Sequence, residues 1–263
     1  MRFEIVPRYL TAPSKRRSGQ ALAPGVRFIV AHDTGNPGST AANNVAYYEA
    51  SRGEMSASAH LFVDDREILE CIPALTGPPE KAWHVLYGVP VDNQLFGFDA
   101  NNAAIGVEYC YGANINADLA YDRYVWVMAY ICHRFALDPH RSIVGHFFLD
   151  PHRKTDPVTG LAFSRRTYEQ LLRDVVVEYE RCLGVPAPPA APAAGRVRAR
   201  TRLNIRGGAP STRAPILRTV EAGTELAIAS TVETGEPVNG NAVWYADGVG
   251  GFFWSGAVEP VTG

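Results

Sequence analysis

The stretch FIVAHDTG, Phe28–Gly35, decides how the chain is read. It carries an apolar run that predicts a buried strand over Val26–Ala31, so the imidazole of His32 emerges at a strand end. Asn36-Pro37-Gly38 makes a turn, and Ser39 or Thr40 can cap a helix running to about Ser51. His60–Val63 and Ile68–Ile72 flank the tight turn Asp64-Asp65-Arg66 and read as a hairpin. Ala103–Tyr109 (AAIGVEY) is another apolar strand, with Glu108 near its end. Tyr124, Val127, Met128, Ile131 and Phe135 recur at helical spacing and predict a helix over Tyr121–Ala136. Tyr168, Leu171, Leu172, Val175, Val176 and Tyr179 do the same over Ser164–Leu183, with Ser164 as the cap and Gly184 as the stop. Strands interspersed with helices imply an α/β domain, a mixed central sheet covered by helices.

A second stretch, GHFFLDPHRKTDP (Gly145–Pro157), is too irregular for a long helix or a central strand. It holds His146, Lys154 and Asp156. With His32, these supply two imidazoles and a carboxylate. Three such protein ligands leave the fourth position of a zinc ion open to water or substrate, the composition of a catalytic centre. His152 competes with His146 for the ligand role, while His133 and His140 need only solvated positions. The segment Pro73–Asn102, rich in Gly and Pro and holding Trp83 and His84, reads as a long loop of the kind that covers binding clefts.

Composition narrows the classes. The 263 residues carry 46% hydrophobic and 20% charged residues, enough to bury a core. A formal net charge of -2 argues against nucleic acid as the main partner. The basic run Lys15–Arg17 is short and reads as a solvated loop. No apolar run approaches the roughly 20 residues needed to cross a bilayer, so membrane insertion is not expected. The N-terminus MRFEIVPRYL lacks an export-signal pattern, which predicts synthesis in the cytoplasm and release by another route. Cys71, Cys110, Cys132 and Cys182 are widely spread and read as reduced thiols.

Composition shifts abruptly after the last predicted helix. Residues 1–184 form the first domain, and 185–195 (VPAPPAAPAAG) is a Pro/Ala-rich extended linker. Residues 196–263 show short β-like runs between Gly and Pro: Leu203–Arg206, Ile216–Val220, Glu225–Ser230, Val243–Ala246 and Gly251–Trp254. They fit a small all-β barrel. Trp244, Tyr245, Phe252, Phe253 and Trp254 either fill its core or line a groove.

Several motifs now stand in order: AHDTG, SAHLFVDDREILECIP, AWH, IGVEYC and GHFFLDPHRKTDP. Together they resemble the zinc-dependent N-acetylmuramoyl-L-alanine amidases of the type-2 family, which share a fold with peptidoglycan recognition proteins. The resemblance spans roughly Val26 to Tyr179. It implies Zn2+ on His32, His146 and Asp156, with Glu108 as general base and Lys154 stabilising an oxyanion. It also places His60, Trp83 and His84 near the cleft as substrate-contacting candidates, although each histidine can equally be structural. Some relatives carry a catalytic tyrosine where this chain has Ala59; the branch with a glutamate at the place of Glu108 manages without it. The C-terminal LNIRGGAPSTRAPILRTVEAGTEL, with VWYAD and GGFFW, resembles bacterial SH3-like wall-binding domains.

Three functions follow from the resemblance. The first is a peptidoglycan hydrolase of the endolysin or autolysin type, cutting between N-acetylmuramic acid and the L-alanine of the stem peptide. The second is a cytoplasmic amidase recycling soluble muropeptides. The third is a non-catalytic binder of glycan strand and stem peptide.

Overall fold

A computed structural model of the chain describes residues 2–112, 114–183, 195–233, 235–248 and 250–261. The chain divides into two compact units, Met1–Val185 and Pro186–Gly263. The Gly184 stop and the predicted linker lie outside the described residues, apart from Gly195, which opens a strand.

The first unit is built on a six-stranded mixed sheet. Its strands are β1 (Ile5–Pro7), β2 (Phe28–Asp33), β3 (Leu61–Val63), β4 (Ile68–Glu70), β5 (Ala104–Tyr109) and β6 (Ile143–Gly145). They lie in the order β1-β4-β3-β5-β2-β6. Only β3 and β4 pair antiparallel, as the predicted hairpin; the remaining neighbours run parallel. Helices α1 (Ala41–Ala50), α2 (Pro90–Phe96), α3 (Ala100–Ala103), α4 (Ala117–Arg134), α5 (His146–Leu149), α6 (Val158–Phe163) and α7 (Tyr168–Cys182) complete the unit. Every residue of β2 is buried, as expected for a parallel strand covered on both faces.

Side chains alternate along β2 and feed two cores. Ile29 and Ala31 face the larger core, which α1, α4 and α7 supply through Val45, Val127, Met128, Leu171 and Val175. Phe28 and Val30 face a smaller core with Val85, Ala100, Ala103, Val144 and Leu149. Phe96 of α2 stacks on Phe28 with ring centroids 4.0 Å apart.

Four expectations need correction. Pro73–Asn102 is not one long loop: Pro at the first position of α2 and a hydrogen bond from the Ala100 N–H to Asp92 organise two short helices within it. The last helix of this unit begins at Tyr168, because Thr167 accepts from the Gln170 N–H, while Ser164 closes α6. The chain up to about Gly25 reads in the sequence as a polar segment ahead of the first strand, yet it supplies β1, which pairs with β4. Within the segment, Arg16 is only 1% exposed rather than solvated. Its guanidinium donates to Ser51 Oγ at 2.8 Å and to the Ala57 carbonyl, and lies over the Tyr48 ring. The four cysteines are free thiols.

The second unit is all-β. Its strands are β7 (Gly195–Ala199), β8 (Leu203–Gly207), β9 (Ile216–Val220), β10 (Glu225–Ile228), β11 (Ser230–Val232), β12 (Trp244–Ala246), β13 (Gly251–Trp254) and β14 (Val258–Pro260). They form a three-stranded sheet, β10-β7-β14, and a five-stranded sheet, β11-β12-β13-β8-β9. Among the described residues no pairing closes the two sheets into one barrel. Phe253 packs in a core with Val197, Ile205, Leu226 and Val258. Trp244 is also buried, its indole N–H donating to the Glu236 carbonyl at 2.8 Å. Tyr245, Phe252 and Trp254 remain half-buried, which sorts the aromatics that composition left open.

Candidate functional site

Strand periodicity places the chemistry. His32 continues the parity of Phe28 and Val30, so it points to the smaller-core face of the sheet. Register pairs His32 directly with Glu108 on β5, which therefore shares that face. β6 lies on the other side of β2 and ends at Gly145, delivering His146 at the start of α5. Three adjacent parallel strands thus present His32, Glu108 and His146 at their carboxyl ends, where open parallel sheets place ligand sites.

The Gly145–Pro157 stretch turns back on itself to add a carboxylate. The Phe147 N–H donates to the Asp156 carbonyl at 2.9 Å, fixing Asp156 beside His146 despite the intervening chain. Asp156 Oδ2 lies 2.9 Å from His32 Nδ1 and 3.0 Å from His146 Nδ1. His32, His146 and Asp156 each offer a donor atom, all within 4.8 Å of one another, and form a cluster able to hold a metal ion. Nitrogen and carboxylate donors of this kind suit a divalent transition metal. His152 is exposed on the same loop and outside the cluster.

Asp33, the next residue of β2, ties the strand to α6. Its carboxylate accepts from the Gly160 N–H at 2.7 Å and the Gly35 N–H at 3.0 Å. Gly160 is needed there, since a Cβ would meet Asp33 Cβ at 2.7 Å. Tyr124 of α4 donates to the His32 carbonyl at 2.8 Å from the opposite face.

His32, His146, Asp156, Glu108, Lys154, Trp83 and His84 all line one cleft of about 470 Å³. Lys154 makes no ion pair among the described residues. Glu108 likewise meets no arginine, and its Oε2 is buried without a hydrogen-bond partner. Burial, followed by the charges of Asp156 and Asp33, pushes the Glu108 carboxyl well above its usual range, with Lys154 opposing the rise. Positive charge held by the cluster would oppose it further. Burial also raises the Asp156 carboxyl, but hydrogen bonds and charge from His146 and His32 outweigh it and hold Asp156 well below the carboxylate range. Burial lowers His32 to about 4, so its imidazole is neutral and ligand-competent at pH 7.

The three substrate-contacting candidates separate. Trp83 is half-buried in the cleft wall, with the Lys81 ammonium 4.3 Å from its ring centroid. His84 is 8% exposed and touches His32: its Nδ1 lies 3.1 Å from His32 Nε2. His60 is not a cleft residue. It is fully buried, with Nε2 2.9 Å from the Glu80 carbonyl and Nδ1 3.0 Å from the Gly106 N–H. Both nitrogens are committed to backbone, so this ring ties β3 to β5 and has nothing left for a substrate. Asp33, Thr34, Tyr48 and Arg153 also line the cleft and went unassigned in the sequence. AHDTG contains the first two of these. Arg153 lies on the loop that carries Asp156, and Tyr48 of α1 packs between the buried Arg16 and the Phe62 ring.

Comparison with known proteins bears on the family and the fold. A family model described as N-acetylmuramoyl-L-alanine amidase matches residues 22–159. The chain is 33% identical over 165 residues to the N-acetylmuramoyl-L-alanine amidase BlyA of Bacillus subtilis (strain 168), a match covering 60% of this chain and 43% of that protein. It therefore spans less than half the length of that relative. Among solved structures, the Staphylococcus aureus hydrolase AmiA in complex with its ligand superposes with a TM-score of 0.56 at 22% identity, covering 70% of this chain and 87% of that one. The catalytic domain of XlyA gives 0.52 at 22% identity, covering 65% and 99%. At these identities the structural likeness shows the fold.

Proposed function

This protein belongs to the N-acetylmuramoyl-L-alanine amidase family, whose model matches more than half of the chain, and from that premise we propose that it is a zinc-dependent peptidoglycan amidase. The bond cut is the amide between the lactyl group of N-acetylmuramic acid and the L-alanine of the stem peptide. The observation that carries the reading is the convergence of His32, His146 and Asp156 beside Glu108 and Lys154 in a single cleft.

The donor set fits zinc. Ligands about 2.0–2.1 Å from a tetrahedral ion lie roughly 3.3 Å apart, and Asp156 Oδ2 stands 2.9 and 3.0 Å from the two Nδ1 atoms. His32, His146 and Asp156 would hold the ion. When bound, it supplies Lewis acidity, acidifying water toward neutral pH and polarising a carbonyl. Glu108 takes the proton of the attacking water as the carbon–oxygen bond forms and returns it to the departing L-alanine amine. Its carboxyl is suited to both transfers because burial holds the protonated form within reach. Lys154 presents an ammonium to the oxygen that becomes negative in the tetrahedral intermediate. Trp83 offers an aromatic face to the glycan or the peptide.

The all-β second unit supports wall attachment through an SH3-like domain. It favours an enzyme of the endolysin or autolysin type, reaching the wall after lysis, through a holin or by non-classical export. The test is solubilisation of purified sacculi after dialysis against a chelator, and again after zinc is restored. Clearing is expected only with the metal. Glu108→Gln should keep zinc binding while turnover falls about 10²–10⁴-fold. Clearing that ignores the chelator, or a Gln variant at full rate, would remove the proposed chemistry.

A further inference from the structure

His84 belongs to no step above, yet much of the surrounding structure serves to hold it. Its N–H and that of Val85 donate to Asn101 Oδ1 at 2.8 and 3.0 Å, and Asn101 Nδ2 donates to the Val85 carbonyl at 2.8 Å. Ser58 and Trp83 exchange hydrogen bonds next door: the Trp83 N–H donates to Ser58 Oγ at 3.0 Å, and the Ser58 N–H to the Trp83 carbonyl at 2.9 Å. On β5, opposite the ring, stands Gly106. A Cβ there would lie 2.7 Å from His84 Cγ and 2.8 Å from Nδ1, so only glycine leaves space for the imidazole.

What this cage presents is a single ring nitrogen. His84 Nδ1 lies 3.1 Å from Nε2 of His32, while its own Nε2 is buried without a partner. His32 directs Nδ1 at the ligand cluster. A neutral imidazole that gives its Nδ1 lone pair to a metal must carry its proton on Nε2. That N–H needs an acceptor, as metal-bound histidines generally have one. His146 shows the contrast: its Nε2 is buried with no protein partner.

We propose that His84 is a positioning residue for the metal centre, accepting the His32 Nε2–H at Nδ1 and so fixing the tautomer and ring plane of His32. The inference rests on the zinc reading of the site. Most carbonyl and carboxylate partners of metal-bound histidines serve only as acceptors, whereas His84 fills the role as a neutral tautomer with its proton on Nε2.

The test is zinc affinity of the full chain, measured by chelator competition, for the unsubstituted protein and three variants. His84→Asn keeps an acceptor oxygen near the place of Nδ1; His84→Phe and His84→Gln do not. Affinity should fall about 10–100-fold in Phe and Gln and stay within roughly threefold in Asn. Equal loss in all three, or no loss in Phe, overturns the proposal. Should the variants fold poorly, nitrogen NMR of the unsubstituted zinc-loaded protein decides. A bare Nδ1 on His84 supports the role, and a proton there overturns it. A chain that shows the affinity order yet cuts no wall supports the His84 role and overturns the amidase reading. A chain that binds no zinc overturns both.

Discussion

Single residues carry this site because strand register and alternation fix their direction. His32, Glu108, His146, Lys154 and Asp156 could be singled out in the sequence because each sits in a short motif, and the structure brings them into one cleft. His60 misled for a physical reason: the same histidine composition serves equally as a strand-to-strand tie, and only its two backbone partners reveal that. The tie makes a pH prediction. Burial lowers His60 to about 4 in the folded chain, against 6.5 for the free side chain. The unfolded chain therefore binds more protons between these values, so the tie is fully stabilising above about pH 6.5 and is lost as pH falls toward 4. A protonated ring would turn an N–H against the Gly106 N–H. Roughly 3 kcal/mol of stability is at stake, taking about 1.4 kcal/mol per pKa unit over that gap. Chemical denaturation of the metal-free protein from pH 7 to 4 should show a smaller pH slope for His60→Gln than for the unsubstituted chain. Equal slopes would contradict it.

Elements position those residues through their ends. β2 runs two residues beyond the predicted strand and includes His32, because pairing with β5 continues to Asp33 and the burial pattern alone could not show it. Helical periodicity found α4 and α7, but the caps were harder to place. Asn116 and Thr167 accept N–H bonds that start the two helices, so α4 begins at Ala117, ahead of the expected Tyr121, and α7 at Tyr168 rather than after Ser164. α4 matters beyond stability, since its Tyr124 holds the His32 carbonyl. Asn116→Ala should cost about 1 kcal/mol through the lost cap. Calorimetry should show a fall in Tm of roughly 2–4 °C in a domain of this size. An unchanged Tm would mean that the cap contributes nothing to this helix.

At the scale of the whole molecule, the two units have separate cores, and the proposed function assigns cutting to the first and wall attachment to the second. A division into two units was legible because a Pro/Ala-rich stretch offers little apolar surface to bury, whereas the sequence on each side does. The sheet arrangement of the second unit was not, since short strands of this kind fit more than one antiparallel closure. β7 and β14 escaped notice because their exposed charged residues dilute the apolar pattern. Removing residues 186–263 should leave cleavage of soluble muropeptides within about threefold, since the cleft residues all lie in the first unit, while co-sedimentation with sacculi is lost. Wall binding that survives the truncation would reassign the anchor to the first unit. Mass spectrometry of digested sacculi reads directly which bond the cleft opens. New L-alanine amino termini with intact glycan strands are expected, appearing with zinc and absent in Lys154→Ala. New reducing sugar ends, or cuts within the stem peptide, would contradict it.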